Sequence, residues 1–403
     1  MVRDFLMKIA ERSSAHSPSF VEGLVAEGFS QADLAGNRGD PPSDSENGRS
    51  WSGAACTMKR KGVIYDVGSV QMGINWRPDY RPEVVRRELR ILAEDLHCGA
   101  VKIRGRDISR VVLTGDAAAA FGMEVWLSAE LFGQPPADTL SYIEAAAAAG
   151  EQLRRRWPDR VVFSVGTELT LFMRGMVPGR TYRQRVRHLK AAPRAARQDT
   201  PLRPFLAQAV DAARRHFDGP ITYAAFPFER VDWDRFDIVG INHYWHRLIA
   251  DRYVPMLRPW LELGKPVVIS ELGFRTCTGA DEPRPVGQEN AAAFGMLLQL
   301  LPGIGRLVHP RVKTIRERNE ALQARRLTRQ LETLDEAGID GAFIYTFSFP
   351  LLPHHPDPRH DLDVDSFSLV KSLPRPQHGT TYPDMTWEPK QAFAAVANYY
   401  ARR

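Results

Sequence analysis

Cysteine is scarce in this chain. Its 403 residues include only Cys56, Cys98 and Cys277, and no two of them have the CxxC spacing of a zinc or redox motif. An odd, sparse set of this kind argues against a disulfide framework and against a structural zinc site. It fits a reducing environment, and we therefore predict a cytoplasmic location.

Long apolar segments are also missing. Hydrophobic residues make up 43% of the chain, which is enough for a large core. No apolar run reaches the roughly 18 residues that a membrane-spanning helix needs. The N-terminal sequence MVRDFLMKIAERSSAHS lacks the long apolar region and small-residue cleavage site of a signal peptide. We therefore expect no membrane partner.

Phosphate-binding and metal-binding patterns are absent as well. The first predicted strand is followed by DVGSVQMG, which is not the GxGxxG turn of a dinucleotide-binding sheet. The segment 354–365 is rich in His and Asp, but its spacing matches neither a zinc site nor a calcium loop. We predict no cofactor and no metal, and keep a metal-dependent hydrolase using this segment as an alternative.

The positive charge of the chain comes mostly from arginine. The net charge is +6, which permits anion binding without showing it. No nucleic-acid motif is present, so we do not expect nucleic acid as a partner; a defence protein with a basic nucleic-acid-binding surface stays an alternative. Arginine-rich stretches cover residues 174–197 and 306–326. Charge runs of this kind usually form solvated faces. The alternative for the first stretch, which directly follows Glu168, is a lid that meets an anionic group of a substrate.

Strand and helix signals alternate from residue 61 onward. Short apolar runs typical of parallel strands buried on both faces are separated by longer amphipathic stretches. This pattern predicts an α/β fold, a single (β/α)8 TIM barrel over residues 58–403. Residues 1–57 contain a segment rich in Gly, Pro, Ser and Asp and are predicted to be a flexible extension. The eight predicted strands are 62–66, 100–104, 124–129, 161–165, 221–225, 238–242, 266–270 and 342–346.

Polar and aromatic residues stand where the predicted strands end. Active sites of such barrels are built at the C-terminal ends of the strands. Two glutamates, Glu168 after strand four and Glu271 after strand seven, would face each other there. A carboxyl pair about 5 Å apart can cleave a glycosidic bond by double displacement. The other candidates for substrate binding or support are Asp66, Arg104, Glu130, Thr167, Asn242, His243, Tyr244, Trp245 and Phe347.

Two short segments carry a family resemblance. FSVGTEL (163–169) and PVVISELGF (266–274) resemble the retaining glycoside hydrolases whose acid/base and nucleophile stand on strands four and seven. The resemblance implies Glu168 as acid/base and Glu271 as nucleophile, supported by Arg104 and Tyr244. Because we see no export signal and no carbohydrate-binding module, we expect a small glycoside or glycoconjugate as substrate rather than a polymer. The chain is similar, too, to a bacterial group with an abortive-infection label.

The sequence departs from that family at two positions. Thr167 stands where the family has an asparagine that holds the sugar 2-hydroxyl, and the tryptophan after strand eight is missing, with Phe347 nearby. These departures leave a second hypothesis open. Under this hypothesis, the barrel has lost sugar hydrolysis and performs another acid-assisted reaction, or only binds a ligand. In a third interpretation the glutamates have no catalytic role, and they are solvated or pair with arginines at the barrel mouth. The oligomeric state stays open.

Overall fold

Eight parallel strands close into a barrel. The computed structural model describes residues 58–282 and 310–402, so the extension predicted at residues 1–57 and residues 306–309 of the second basic stretch lie outside the described residues. The strands are β1 Arg60–Asp66, β2 Ala100–Gly105, β3 Glu124–Ala129, β4 Val161–Thr167, β5 Ile221–Ala225, β6 Val239–Asn242, β7 Val267–Leu272 and β8 Gly341–Ile344. The strand order β1-β8-β7-β6-β5-β4-β3-β2 closes on itself. The predicted TIM barrel is confirmed.

Helices surround the strands and connect them. They are α1 Pro82–Glu94, α2 Ile108–Ala120, α3 Pro136–Arg156, α4 Leu169–Phe172, α5 Tyr182–Ala191, α6 Arg194–Gln198, α7 Leu202–Arg214, α8 Arg258–Leu261, α9 Glu320–Glu336 and α10 Gln391–Tyr400. Antiparallel two-stranded ladders join Val70–Gln71 to Ile74–Asn75 and Val370–Ser372 to Trp387–Pro389. None of the described helices is long and apolar enough to cross a membrane.

The sequence pattern also predicts helices over residues 254–263 and 315–337, and both differ from the observed helices for local reasons. A helix expected over residues 254–263 is a 3-10 turn, Pro255–Leu257, followed by the single turn of α8, because Pro255 and Pro259 lack the amide hydrogen that a longer helix needs. A helix expected from residue 315 begins at Glu320. The Asn319 side chain accepts a hydrogen bond from the Leu322 amide and fixes that start.

The lower part of the barrel is filled by apolar side chains. Seven buried residues, six of them on six different strands and Ile238 directly before β6, pack against one another there: Ile64, Ala100, Trp126, Val162, Ile238, Val268 and Phe343. A larger apolar cluster lies between the strands and the helices. Because apolar side chains fill this part of the barrel, the place to look for a ligand site is the end at which the polar residues stand.

The strands that carry the two glutamates each contain an extra residue. Along the β4–β5 ladder, Ser164 pairs with Thr222 but Thr167 pairs with Ala224. Along the β6–β7 ladder, Ile241 pairs with Ile269 but Asn242 pairs with Glu271. Such bulges shift the alternation of side chains by one residue and redirect the residues that follow. At the end of β7, the bulge turns Glu271 to the same face as Asn242.

Candidate active site

Glu168 occupies a buried position between β4 and α4. Its backbone is left-handed, with φ 46° and ψ 45°, and its amide donates to the Ala224 carbonyl at 2.8 Å. The side chain is almost fully buried, and Nδ2 of Asn242 donates to Oε1 at 2.9 Å. Burial first, and then the nearby charge of Glu271, hold the pKa of Glu168 well above its usual range. Both influences favour the protonated form of this carboxyl group.

Glu271 stands in the opposite environment at the end of β7. The Tyr244 hydroxyl donates to Oε2 at 3.1 Å. Two cations approach the other oxygen: Lys102 Nζ lies 3.7 Å and Arg104 Nη1 3.9 Å from Oε1. Opposite charges at this range favour the ionised form of a carboxyl group. Burial raises the pKa of Tyr244, so its hydroxyl stays a neutral donor.

Asn242 connects the two glutamates. Its backbone pairs with Glu271 in the β6–β7 ladder, and its side-chain amide reaches Glu168. The two glutamates are separated by 103 positions in the sequence, yet they are close enough to interact electrostatically. The charge of Glu271 raises the pKa of Glu168. Differing environments of two neighbouring carboxyls are the usual way to separate an acid from a nucleophile.

Arg104 is the centre of a second polar group. Its guanidinium donates from Nε and Nη2 to Glu130 Oε2, at 3.0 and 2.7 Å. Asp66 lies 3.7 Å from Nε and caps the following loop by accepting from the amides of Gly68 and Ser69. Glu130 and Asp66 thus hold the arginine that stands beside Glu271.

Three predicted site residues have their contacts elsewhere. The His243 ring stacks on Tyr253 at 4.2 Å, and Nε2 lies 3.1 Å from the Tyr253 carbonyl. The Trp245 ring packs against Phe274 and under the guanidinium of Arg326. Strand alternation explains both, since Asn242 and Tyr244 point inward and their neighbours outward.

The third of these residues, Phe347, is fully buried between Tyr65 and Trp387. Tyr345 stands nearer the site instead, with the Arg104 guanidinium 5.5 Å from its ring centroid. Phe349 and Phe367 pack around that ring. An aromatic surface therefore exists at the end of β8, but Tyr345 supplies it.

Several buried oxygen atoms at the site have no hydrogen-bond partner. They are Thr167 Oγ1, Asn242 Oδ1 and Glu271 Oε1. Each belongs to a residue that is at most 6% exposed. Unpaired buried polar atoms are costly and are rare outside sites that a ligand or water completes. These three atoms offer acceptors, and one hydroxyl, to a molecule bound beside the glutamates.

Two further buried residues at the site were missed by the sequence analysis. Lys102 could have been found, because it precedes Arg104 by two positions and must share its face of β2. Glu229 accepts from the amides of Thr170 and Phe226 and from the Tyr223 hydroxyl, and burial raises its pKa to about 7. It lies in a loop where no pattern distinguishes a structural acid.

The first basic stretch packs as a helical layer next to Glu168. Leu171, Phe172 and Val186 form an apolar cluster with Phe226 and Phe228 of the loop after β5. Arg185 is buried and donates to the Leu171 carbonyl at 2.6 Å, so it stabilises this layer. An anionic partner for the remaining arginines stays a prediction.

The His- and Asp-rich segment forms ion pairs with basic residues. Asp361 and Asp363 accept from Arg318, and Asp363 also pairs with Lys390 at 2.9 Å. Over residues 58–282 and 310–402, no group of three or more His, Cys, Asp or Glu residues could hold a metal ion. The acids that suggested a metal site are thus engaged with cations.

Comparison with known proteins adds a likeness in fold. No protein-family model matches the chain, and no curated protein is detectably similar in sequence. A GH113 β-1,4-mannanase shares 14% identity, with a TM-score of 0.52 over 86% of this chain and 100% of its own. A GH113 β-mannanase from Alicyclobacillus acidocaldarius shares 15%, with a TM-score of 0.51 over 86% and 99%.

A Bacteroides uniformis β-glucuronidase shares 15% identity, with a TM-score of 0.52 over 85% of this chain and 35% of its own. At these identities the likeness concerns the fold alone. The chain thus has the barrel fold that is also found in these glycoside hydrolases.

Proposed function

We propose that this protein is a retaining glycoside hydrolase in which Glu168 is the acid/base and Glu271 the nucleophile. One observation carries the proposal. Two buried glutamates at the ends of β4 and β7 have opposite surroundings, an amide for Glu168 and two cations with a tyrosine hydroxyl for Glu271. A protonated acid beside an ionised carboxylate is what double displacement requires.

The reaction would run in two balanced steps. A carboxylate oxygen of Glu271 attacks the anomeric carbon, the bond to the leaving oxygen breaks, and that oxygen takes the proton of Glu168. Glu168, now ionised, removes a proton from water, whose oxygen attacks the same carbon. The ester bond then breaks, and Glu271 is released as a carboxylate. Both steps need only residues of this chain and water.

The substrate would be a small glycoside or glycoconjugate. The unpaired oxygens of Thr167, Asn242 and Glu271 suit a ligand rich in hydroxyl donors. The Tyr345 ring offers an apolar face for a sugar. An anionic group on the substrate would be met by the arginines after Glu168. β-Mannosides and β-glucuronides are the first compounds to test, given the mannanase and glucuronidase folds.

A panel of aryl glycosides tests the proposal. We expect release of the aryl group from at least one glycoside by the wild-type protein and none by Glu271→Ala. Proton NMR during turnover should show the product sugar first with the anomeric configuration of the substrate. Inverted product, or activity unchanged in Glu271→Ala, would refute the assignment.

A second candidate uses the same site without sugar hydrolysis. Thr167 replaces the family's asparagine, and its hydroxyl is buried with no partner. The barrel would then bind a ligand, or perform another acid-assisted reaction, in a defence role of the kind that the abortive-infection label suggests. No turnover of any glycoside, together with saturable binding of a sugar that Glu168→Gln weakens, would favour this candidate.

A further inference from the structure

Lys102 is a buried cation next to Glu271. It lies on β2, two residues before Arg104 on the same face, and its side chain is 1% exposed. Nζ donates to Ser270 Oγ at 2.9 Å, and Ser270 immediately precedes Glu271. A buried ammonium group is strongly destabilising unless a counter-charge lies close by. A neighbouring acid must therefore supply that charge.

Glu271 lies within ion-pair range of Lys102. The Glu130 carboxylate already accepts two hydrogen bonds from Arg104 and one from Ser128. Glu271 Oε1 lies 3.7 Å from Nζ. Burial lowers the pKa of Lys102, and the charge of Glu271 is the strongest opposing influence.

The two oxygens of Glu271 are held differently. Oε2 accepts from the Tyr244 hydroxyl at 3.1 Å, whereas no hydrogen bond reaches Oε1. The two cations attract Oε1 from 3.7 and 3.9 Å, beyond hydrogen-bond length. Attraction at this range favours the charged carboxylate while its Oε1 lone pairs stay available.

We propose that Lys102 is a positioning residue that keeps Glu271 ionised through charge alone, leaving Oε1 free to attack the substrate. This inference rests on the proposed function. It also predicts an effect on the second step. When Glu271 is an ester, Lys102 has lost its counter-charge, so the ammonium group favours release of the sugar and return of the carboxylate.

The first test is the pH dependence of covalent inactivation. Wild type, Lys102→Met and Ser270→Ala are treated with manno- and glucurono-configured cyclophellitol aziridines, and labelling is followed by intact mass. Removing a close cation should move the acid limb of the rate profile up by about one pH unit in Lys102→Met. Ser270→Ala keeps the ammonium group and should move it much less. An unmoved limb in a folded Lys102→Met protein would overturn the inference.

A second test separates this inference from the proposed function. Thermal unfolding of wild type, Lys102→Met, Glu271→Gln and the double variant forms a cycle that needs no substrate. We expect Glu271→Gln to lower Tm in the wild-type background by about 2 °C or more beyond its effect in the Lys102→Met background. The reason is that only in the wild-type background does this substitution leave Lys102 without its counter-charge. Additive changes would overturn the inference. If the aziridines do not label the protein and the cycle still shows coupling between Lys102 and Glu271, the hydrolase proposal fails while the charge pairing stands.

Discussion

At the scale of single residues, the proposed function rests on the environments of the side chains rather than on residue types. Glu168 and Glu271 are chemically identical, yet one is buried beside an amide and the other beside two cations. The same contrast explains why Glu130, equally buried, is not proposed as a catalyst. Both of its oxygens already accept hydrogen bonds, from Arg104 and Ser128.

Glu168→Gln should separate the two chemical steps. The amide cannot donate a proton to the leaving oxygen, so hydrolysis of glycosides with poor leaving groups should fall roughly 100- to 10,000-fold. Glycosides with very acidic leaving groups need little protonation, so the rate of their first step should fall much less. Steady-state kinetics with a leaving-group series measures the difference, and added azide should restore turnover as a glycosyl azide. A uniform loss across the series would contradict the acid/base assignment.

His243 should make stability depend on pH below neutrality. Burial lowers the pKa of its imidazole from 6.5 to about 4. Between these values the unfolded chain binds a proton that the native state does not, so the free energy of unfolding falls as pH falls, by about 3 kcal/mol. Urea unfolding at several pH values should show a smaller fall for His243→Phe. The exposed His216→Gln should behave as wild type, and an equal fall in all three would contradict this interpretation.

At the scale of elements, close backbone contacts fix the strand ends. Gly273 follows Glu271 by two residues, and a Cβ atom there would lie 2.7 Å from the Tyr345 carbonyl oxygen. The glycine of the family-like segment Glu271-Leu272-Gly273 thus has a physical reason. It lets the end of β7 pass the end of β8, where Tyr345 supplies the aromatic surface.

Gly273→Ala should therefore damage both stability and activity. Forcing a methyl group into this contact should cost about 1–3 kcal/mol of unfolding free energy, measured by urea denaturation. Activity should fall as well, because the strand end that carries Glu271 must move. Gly99→Ala is the matched control, since the nearest atom would be 3.9 Å away. Equal stability of the two variants would show that the contact relaxes without cost.

The sequence predicted the elements well but not the faces of all their residues. Periodicity located all eight strands, and β3 and β5 match their predicted bounds. It could not predict the extra residues in β4 and β7, because a bulge depends on pairing with a neighbouring strand. Glu271 was selected because it follows a predicted strand, and the family resemblance, rather than alternation, supported that choice. His243 and Trp245 were selected because they follow a strand, although alternation places their side chains outside the barrel.

At the scale of the whole molecule, ion pairs join the closing helix to the barrel mouth. Lys390 directly precedes α10 and pairs with Asp363 in the loop after β8, where Arg318 also binds. Burial alone would raise the pKa of Asp363, but Lys390 and Arg318 outweigh it and the pKa is lowered. This network therefore contributes stability above the usual pKa of Asp and loses it as the pH falls.

Lys390→Met should destabilise the whole fold. It leaves the buried carboxylate of Asp363 without its closest lysine, which should cost about 3–5 kcal/mol in urea unfolding near neutral pH. Lys371→Met removes a partly exposed partner of Glu320, 3.6 Å away, and should cost less than about 1 kcal/mol. A small effect of Lys390→Met would mean that Arg318 alone satisfies Asp363.

The most direct test of the central claim is to identify the residue that becomes covalently bound to sugar. Wild-type protein inactivated with a mechanism-based cyclitol aziridine is digested and mapped by mass spectrometry. We predict a single adduct on Glu271, absent from Glu271→Gln and prevented by excess competing sugar. An adduct on another residue, or none while glycosides are still turned over, would contradict a double displacement centred on Glu168 and Glu271.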